Sequence, residues 1–311
     1  MPGEGLDKSR CPCHFRDVVS VKFDNLRALL KSYGSCLVAY SGGVDSVFLA
    51  YVAHNVLREK SLAAIADSPS LPRRELDEAL ALAQQFGFPV RVVHTREFEN
   101  PSYLSNPNNR CYFCKHELFT ELVPLAKEEG FGVLAYGENA SDAGDFRPGA
   151  QAAAEFQVRA PLKEAGLSKS EIRELSARLG LPTAGKPQMA CLSSRIPYGE
   201  AVTPQKLKMI EQAENVLRDL GFYDVRVRHH ELLAGLSAQP AEAKVGLPLP
   251  SLSLPTPALR LARIEVGPSE MSKFLANGAA IKVVEALKKI GYAHVTLDLQ
   301  GYRRGSLNGT V

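Results

Sequence analysis

The amino-acid sequence predicts an α/β fold, with a doubly wound parallel sheet followed by a second, smaller α/β domain. Short apolar runs alternate with segments of helical spacing, a glycine-rich turn joins the first run to the first helix, and the pattern changes near residue 195. Strands that alternate with helices are joined by right-handed crossovers and therefore lie parallel. We expect a flexible tail at 1–17, a first domain at 18–194 and a C-terminal domain at 195–311.

Four apolar runs of the first domain are expected to be strands: Cys36–Tyr40, Leu62–Ala66, Val90–His94 and Val133–Tyr136. A helix with apolar spacing from Val47 follows the first run, and another begins near Pro72, because proline is tolerated in a first turn. Ser168 and Glu171 form a capping-box pattern for a later helix, which should end at Gly180.

The C-terminal domain begins with a long predicted helix at 204–220 and has predicted strands at 224–227 and 295–299. A segment rich in proline, serine and alanine occupies about 231–258. Such a composition lacks the periodic apolar residues of a helix or strand. We therefore expect a flexible surface insertion there.

Composition limits the possible classes of function. The chain has 311 residues, 45% hydrophobic and 23% charged, as expected of a globular protein with well-filled cores. No apolar run approaches the roughly 20 residues that cross a bilayer, and the first 15 residues lack the apolar region of a secretory signal. We expect a cytoplasmic protein without a membrane partner. The formal net charge of +3 gives no case for a nucleic-acid partner.

The strongest local signal is the loop SGGVDS, which consists of Ser41, Gly42, Gly43, Val44, Asp45 and Ser46. Adjacent glycines let main-chain N–H groups approach an anion, and the helix that follows directs its unpaired N–H groups to the same point. The loop lacks the Gly-Lys-Ser/Thr ending of phosphoryl-transferring P-loops and the spacing of dinucleotide turns. It predicts a phosphate site of another kind, the alternative being an incidental Ser/Gly turn.

This loop resembles the SGGxDS signature of the PP-loop ATP-pyrophosphatases, which cut ATP between its α and β phosphates. The resemblance implies that ATP and Mg²⁺ are cofactors. Pyrophosphate would lie on the backbone of Gly42 to Ser46, and Asp45 would help to organise the magnesium ion.

Six cysteines occur in a chain with no export signal, which favours metal or catalytic roles over structural disulfides. Cys111 and Cys114 are separated by two residues, and the charges of Arg110 and Lys115 favour their thiolate forms. Together with Cys191 they offer three sulfur ligands, which suit a 4Fe–4S cluster with one open iron, whereas closed structural zinc needs a fourth ligand. Packing residues or a zinc half-site are the alternatives.

The remaining cysteines receive no functional assignment. Cys36 lies in an apolar strand and is expected in the core. Cys11 and Cys13 stand beside His14 in a run that could bind a metal, but we expect an unstructured tail.

Longer strings resemble the LarE family, the ATP-dependent sulfur insertases that make the nickel-pincer nucleotide cofactor of lactate racemase. Besides the loop, these strings are NPNNRCYFCK, DFRPG, RAPLKEAGLSKSEIRELSARLGLPT, KPQMACLSSRIPYG and VTLDLQGYRRGSLN, and the resemblance covers about residues 18–308 apart from the insertion. It implies that ATP adenylates a carboxylate of pyridinium-3,5-biscarboxylic acid mononucleotide, after which sulfur displaces AMP. It also implies a homo-oligomer, often a hexamer in relatives, whose C-terminal domain binds substrate and self-associates.

The family supplies sulfur in two ways. Some members give up the sulfur of a cysteine at the position of Cys191 and are left with dehydroalanine. Others carry a 4Fe–4S cluster on three cysteines, whose open iron holds an extra sulfide taken from a sulfur donor. Because Cys111, Cys114 and Cys191 are all present, this sequence resembles the second kind, with the sacrificial route as the alternative.

Polar residues that follow predicted strands are further candidates. Asp67, with Ser68, ends the second strand and would border the adenosine. Asn139 and Asp142 follow the fourth strand, at the sheet edge where ligands of open α/β sheets bind. Glu138 departs from the family, which often has threonine there, and this difference leaves its nucleotide contact open.

Two arginines of the C-terminal domain, Arg226 and Arg228, are two residues apart on a predicted strand and therefore point to one face. They could hold the substrate phosphate, the alternative being a solvated strand face. Arg195, four residues after Cys191, is expected to meet the anionic substrate near the sulfur. Glu200 is a less specific candidate, because a lone carboxylate after a turn often faces solvent.

Three other functions are weaker interpretations. A tRNA thiolase would need a broad basic surface, and an amide-forming ligase would leave the cysteines without a role. A nucleotide sensor or a zinc-stabilised scaffold would bind ATP without releasing pyrophosphate. We therefore predict an AMP-forming, ATP-dependent sulfurtransferase with Asp45, Cys191 and Arg195 as its catalytic residues.

Overall fold

The structure, a computed structural model, describes residues 12–142, 148–187, 190–232, 259–276 and 278–303. The chain divides into two compact units, Met1–Ala190 and Cys191–Val311, whereas the sequence predicted the boundary after residue 194. A helix begins at Pro12, within the predicted tail. Cys11, part of the DFRPG string and residues 233–258 of the predicted insertion lie outside the described residues. None of the helices in the described ranges is long and apolar enough to span a membrane.

The first unit is a parallel sheet with helices on both faces, which confirms the predicted fold class. Its strands are β1 (Cys36–Tyr40), β2 (Ser61–Asp67), β3 (Val90–His94) and β4 (Val133–Tyr136), in the order β3-β2-β1-β4. Its helices are α1 (Pro12–Tyr33), α2 (Val44–Leu57), α3 (Arg73–Phe86), α4 (Pro101–Leu104), α5 (Arg110–Glu128), α6 (Pro148–Glu155), α7 (Pro161–Glu164) and α8 (Lys169–Arg178).

The central strand β1 shows why the sheet needs helices on both faces. Cys36, Val38 and Tyr40 pack into one apolar cluster with residues of α1, α2, α3 and α8. Leu37 and Ala39 pack into another cluster with residues of α5 and α6. Because the side chains of a strand alternate between the two faces, a run of five apolar residues has to be covered on both.

Helix α8 begins at the predicted capping box. The Ser168 hydroxyl accepts the N–H of Glu171 at 3.4 Å, and the Glu171 carboxylate accepts the N–H of Ser168 at 2.8 Å. Gly180 follows the helix with a φ of +72°, a left-handed conformation that glycine adopts without strain. The box fixes Lys169 as the first helical residue.

The second unit contains a three-stranded sheet and two longer helices. These elements are α9 (Pro204–Asp219), β5 (Val225–Leu232), β6 (Leu259–Val266), α10 (Ala279–Ile290) and β7 (His294–Leu297). Strand β6 lies between β5, to which it is antiparallel, and β7, to which it is parallel. The sequence analysis missed β6, because Arg260 and Arg263 interrupt its apolar residues.

His229 on β5 is a fully buried imidazole. Its Nδ1 lies 3.1 Å from the Tyr292 hydroxyl, and its Nε2 has no hydrogen-bond partner among the described residues. Burial, together with the charge of Lys206, lowers the pKa of His229 to about 4. The folded chain therefore binds a proton at His229 more weakly than the unfolded chain does. The unfolding free energy is unaffected by this group above the ordinary histidine pKa, and it decreases as the pH falls from there toward the lowered pKa of His229.

We expect His229→Gln to make the fold less sensitive to acid. Going from pH 7 to pH 5 should cost the wild-type chain about 2 kcal/mol of unfolding free energy through His229 alone, given a pKa of about 4 when folded. Urea unfolding at both pH values measures this difference. His94→Gln is the matched control, since that side chain is 82% exposed. An equal loss in wild type and H229Q would contradict the expectation.

Candidate functional site

The glycine-rich loop joins β1 to α2 at the carboxyl edge of the sheet. Gly42 has a φ of +69°, and a Cβ at this position would lie 2.8 Å from the Cβ of Ala79 on α3. Both conditions require glycine. Helix α2 begins at Val44, so its first N–H groups and the positive end of its dipole face the loop. The loop therefore offers backbone donors to an anion.

The Ser46 side chain makes hydrogen bonds to the backbone of this loop. Its buried hydroxyl accepts the N–H of Ser41 at 3.1 Å and donates to the carbonyl of Gly43 at 3.1 Å. The hydroxyl of Ser41 also lies 3.1 Å from that of Ser46. The Ser46 side chain therefore shapes the loop, which leaves its backbone N–H as the group for an anion.

Gly137, which the sequence analysis did not single out, brings the end of β4 against the loop. A Cβ at Gly137 would lie 3.0 Å from the Ser46 nitrogen and 3.2 Å from the Asp45 carbonyl carbon. Only glycine allows so close an approach. A single glycine often follows an apolar strand, so the sequence alone gave little indication that Gly137 packs against the loop.

Asp45 is held by Lys169, another residue that the sequence analysis did not predict. The Lys169 Nζ lies 2.5 Å from Asp45 Oδ2, whereas Oδ1 is buried without a hydrogen-bond partner in the described part of the chain. Burial raises the pKa of Asp45, and Lys169 opposes this rise. An orphaned buried carboxylate oxygen is costly, and Mg²⁺ prefers oxygen ligands. The free Oδ1 therefore fits the predicted magnesium ion.

The other predicted residues at this edge shape its turns. Asn139 Oδ1 accepts the N–H of Ser141 at 2.9 Å, and Asp142 Oδ2 accepts the N–H of Asn139 at 3.2 Å. Asp67, at the end of β2, is paired with Arg73, which also donates to the Ser68 carbonyl. These side chains are engaged in building the turns after β4 and β2.

Glu138, where the sequence departs from the family pattern, is a buried carboxylate. Lys163 on α7 lies 2.8 Å from its Oε1, and the Tyr136 hydroxyl donates to its Oε2. A lysine at this distance makes a charge-assisted hydrogen bond and neutralises the carboxylate.

The cysteines of the first unit differ in accessibility. Cys111 is exposed and Cys114 half-buried, and both lie near the start of α5, where residues three apart share a face. Arg110, predicted to favour their thiolates, is buried and donates to Asn106. Burial raises the pKa of Cys36 to about 12, as befits the core residue that was expected. Within the described residues, no three His, Cys, Asp or Glu side chains are grouped to hold a metal ion.

In the second unit, Arg195 and Glu214 form a fully buried ion pair. Two hydrogen bonds of 2.7 and 3.1 Å join them, and Arg218 lies 3.1 Å from the same carboxylate. The Val227 N–H also donates to Glu214, at 3.1 Å. Burial raises the pKa of Glu214, but the surrounding arginines outweigh burial and hold it below its ordinary value. Glu214, absent from the predicted site, therefore anchors Arg195.

Cys191 and Arg195 lie together in one turn of the second unit. The Cys191 carbonyl accepts Arg195 Nη1 at 3.1 Å and the Ser194 hydroxyl at 2.7 Å. Cys191 itself is half-buried. The structure thus brings these two predicted catalytic residues onto the same backbone turn.

Arg226 and Arg228 on β5 are buried, which excludes the solvated strand face. Arg228 makes hydrogen bonds of 3.0 and 2.8 Å to Glu265 and donates to the Ser194 carbonyl at 2.7 Å. Burial and the charge of Arg195 lower the pKa of Arg226. Arg226 also lies 3.5 Å from the Asp224 carboxylate, so its charge is partly compensated.

The chain is similar over nearly its whole length to known proteins. A family model described as NAD synthase matches residues 18–103. The chain is 30% identical over 294 residues to the pyridinium-3,5-bisthiocarboxylic acid mononucleotide synthase of Lactiplantibacillus plantarum, covering 94% of this chain and 96% of that protein. It is 42% identical to an uncharacterized protein of Synechocystis sp., covering 92% and 97%. With an uncharacterized protein of Methanocaldococcus jannaschii the identity is 26%, covering 71% and 84%.

We expect Glu214→Gln to destabilise the second unit. The change leaves Arg195 buried without its counter-ion, which costs about 3–5 kcal/mol in comparable buried pairs. Thermal and urea unfolding measure the loss. Glu285→Gln on α10 is the matched control, because that glutamate is exposed and should change stability by less than about 0.5 kcal/mol. A loss no larger in E214Q than in E285Q would refute the anchoring role.

Proposed function

The chain belongs to the LarE family of ATP-dependent sulfurtransferases that act in nickel-pincer cofactor biosynthesis, and we propose that it converts carboxylates of pyridinium-3,5-biscarboxylic acid mononucleotide into thiocarboxylates. The observation that carries the proposal is the loop at 41–46, with its backbone donors and the free Asp45 oxygen, in a chain 30% identical to a bisthiocarboxylic acid mononucleotide synthase. A loop of this kind suits pyrophosphate, the group that adenylation releases.

The first step activates the substrate. A carboxylate oxygen attacks the α-phosphorus of ATP, the bond between this phosphorus and the α–β bridging oxygen breaks, and pyrophosphate leaves. Backbone N–H groups of the loop and the start of α2 would receive the pyrophosphate, and Lys169 would exchange its partner Asp45 for a phosphate oxygen. Magnesium, held by Asp45, would neutralise phosphate charge.

The second step replaces oxygen with sulfur. A sulfur nucleophile attacks the carbonyl carbon of the acyl-adenylate, the bond from this carbon to the AMP oxygen breaks, and AMP leaves. Arg226 would bind an anionic group of the substrate by a charge-assisted hydrogen bond. Arg228 lies two residues further along β5, on the same face of the strand, and would contribute to binding the same anionic group. Arg195, expected from the sequence to meet the substrate, is fully buried against Glu214 and would instead hold the turn of Cys191 in place.

The sulfur supply is proposed to rest on Cys111, Cys114 and Cys191, the thiols that would hold a 4Fe–4S cluster. When bound, such a cluster supplies sulfide from an open iron. The alternative is the sacrificial route. There, Cys191 Sγ displaces AMP to form a thioester; loss of the Cys191 Cα proton and cleavage of its Cβ–S bond then release the thiocarboxylate and leave dehydroalanine.

Adenylation should depend on Asp45. In Asp45→Asn we expect pyrophosphate release with ATP, Mg²⁺ and the pyridinium mononucleotide to fall at least about 100-fold, because the magnesium ligand loses its charge. Asp77→Asn on α3, an exposed carboxylate, is the control and should keep full activity. Wild-type pyrophosphate release that does not require the mononucleotide would argue for a different substrate.

Iron binding separates the two sulfur supplies. We expect anaerobically purified protein to contain about four irons and four acid-labile sulfides per chain, as in a 4Fe–4S cluster, and Cys114→Ala to lose them. Cys36→Ala, a buried cysteine outside the proposed set, should retain its iron. Iron-free protein whose Cys191 becomes dehydroalanine after turnover would establish the sacrificial route instead.

A further inference from the structure

The turn at 137–142, here called the β4 turn, follows β4 at the carboxyl edge of the first sheet. Hydrogen bonds within it fix its backbone: Asn139 Oδ1 accepts the N–H of Ser141 at 2.9 Å, and Asp142 Oδ2 accepts that of Asn139 at 3.2 Å. Asn139 is buried, whereas Ser141 is exposed. Asn139 and Asp142 therefore hold the turn that carries the Ser141 side chain.

Hydrogen bonds join the β4 turn to the start of α8. The N–H of Ala140 donates to the carbonyl of Leu167 at 2.8 Å, and the N–H of Lys169 donates to the hydroxyl of Ser141 at 3.0 Å. Lys169 is the first residue of α8, so its N–H has no acceptor within the helix. Ser141 supplies that acceptor from the turn and thereby holds the backbone of Lys169 in place.

Both ends of the β4 turn are linked to the same aspartate of the phosphate loop. At one end, Gly137 lies against the backbone of Asp45 and Ser46, where a Cβ would come within 3.0 Å of the Ser46 nitrogen. At the other end, Ser141 holds Lys169, whose Nζ lies 2.5 Å from Asp45 Oδ2. The β4 turn therefore fixes the backbone of Asp45 and, through Lys169, the cation that pairs with its side chain.

We propose that Ser141 is a positioning residue for adenylation, because it fixes the backbone from which the Lys169 ammonium reaches the phosphate loop. The inference rests on the proposed function, in which Lys169 leaves Asp45 for a phosphate oxygen. A lysine side chain is flexible, so the position of its ammonium during this exchange depends on where its backbone is held. A small displacement of a charged group at a reaction centre lowers the rate. Ser141 touches neither ATP nor the substrate in this scheme and acts only through Lys169.

The first test removes the hydroxyl alone. We expect Ser141→Ala to lower kcat/KM of substrate-dependent pyrophosphate release about fivefold, as for the loss of one hydrogen bond, and to weaken the binding of pyrophosphate with Mg²⁺, measured by calorimetry, by a similar factor. Ser141→Thr keeps a hydroxyl and should restore both values. Ser32→Ala is the matched control and should change neither, because Ser32 is an exposed serine on α1 whose hydroxyl donates to the Leu29 carbonyl of the same helix.

The second test asks whether Ser141 acts through Lys169. In a Lys169→Gln background, Ser141→Ala should cause no further loss of pyrophosphate release or binding, because the ammonium that it places is already absent. Losses that multiply would show that Ser141 acts independently of Lys169 and would overturn the inference, as would wild-type behaviour of S141A.

The two measurements also separate this inference from the proposed function. A wild-type chain that releases no pyrophosphate with ATP, Mg²⁺ and the pyridinium mononucleotide would refute the proposed function. The calorimetric comparison of wild type, S141A, K169Q and the double variant needs no turnover, so it still decides whether Ser141 positions Lys169 for a phosphate ligand. Equal pyrophosphate affinity in wild type and S141A would refute the positioning role while leaving the proposed function intact.

Discussion

The tight packing of the loop at 41–46 against α3, the end of β4 and Lys169 of α8 is the constraint on which the first unit depends. Gly42 lies against α3, Gly137 lies against the peptide of Asp45 and Ser46, and Lys169 binds the Asp45 carboxylate. A Cβ at Gly42 would overlap Ala79, and a Cβ at Gly137 would crowd the backbone of Asp45 and Ser46. The phosphate loop is therefore assembled by tertiary packing, although its sequence signature is local.

The second unit buries several arginines close to one another. Glu214 and Glu265 each bind arginines directly, and the arginines in turn hold backbone carbonyls of the turn that begins at Cys191. The surrounding arginines hold the pKa of Glu214 below its ordinary value despite its burial, so this carboxylate stays ionised. The two glutamates thus compensate the charge of the buried arginines and hold them against the turn that begins at Cys191.

The sequence was informative where the structural cause is local. The strand, glycine turn and helix start at 36–47 and the capping box at Ser168 were predicted, because short-range hydrogen bonds and backbone conformation decide them. Lys169, Gly137 and Glu214 were missed, because each acts through a partner distant in sequence, as Lys169 does with Asp45, 124 residues away. Strand β6 was missed for a related reason: Arg263 finds its carboxylate partner Asp298 only in the fold, so the sequence of the strand looked polar.

Glu138, which follows β4, is a buried carboxylate with a counter-ion. A carboxylate without a counter-ion beside the loop would repel an anion bound there. Here Lys163 and the Tyr136 hydroxyl occupy its two oxygens, and the pair lies beside Gly137, where β4 meets the loop. Because Lys163 compensates its charge, Glu138 can be a buried, hydrogen-bonded part of the turn beside the loop.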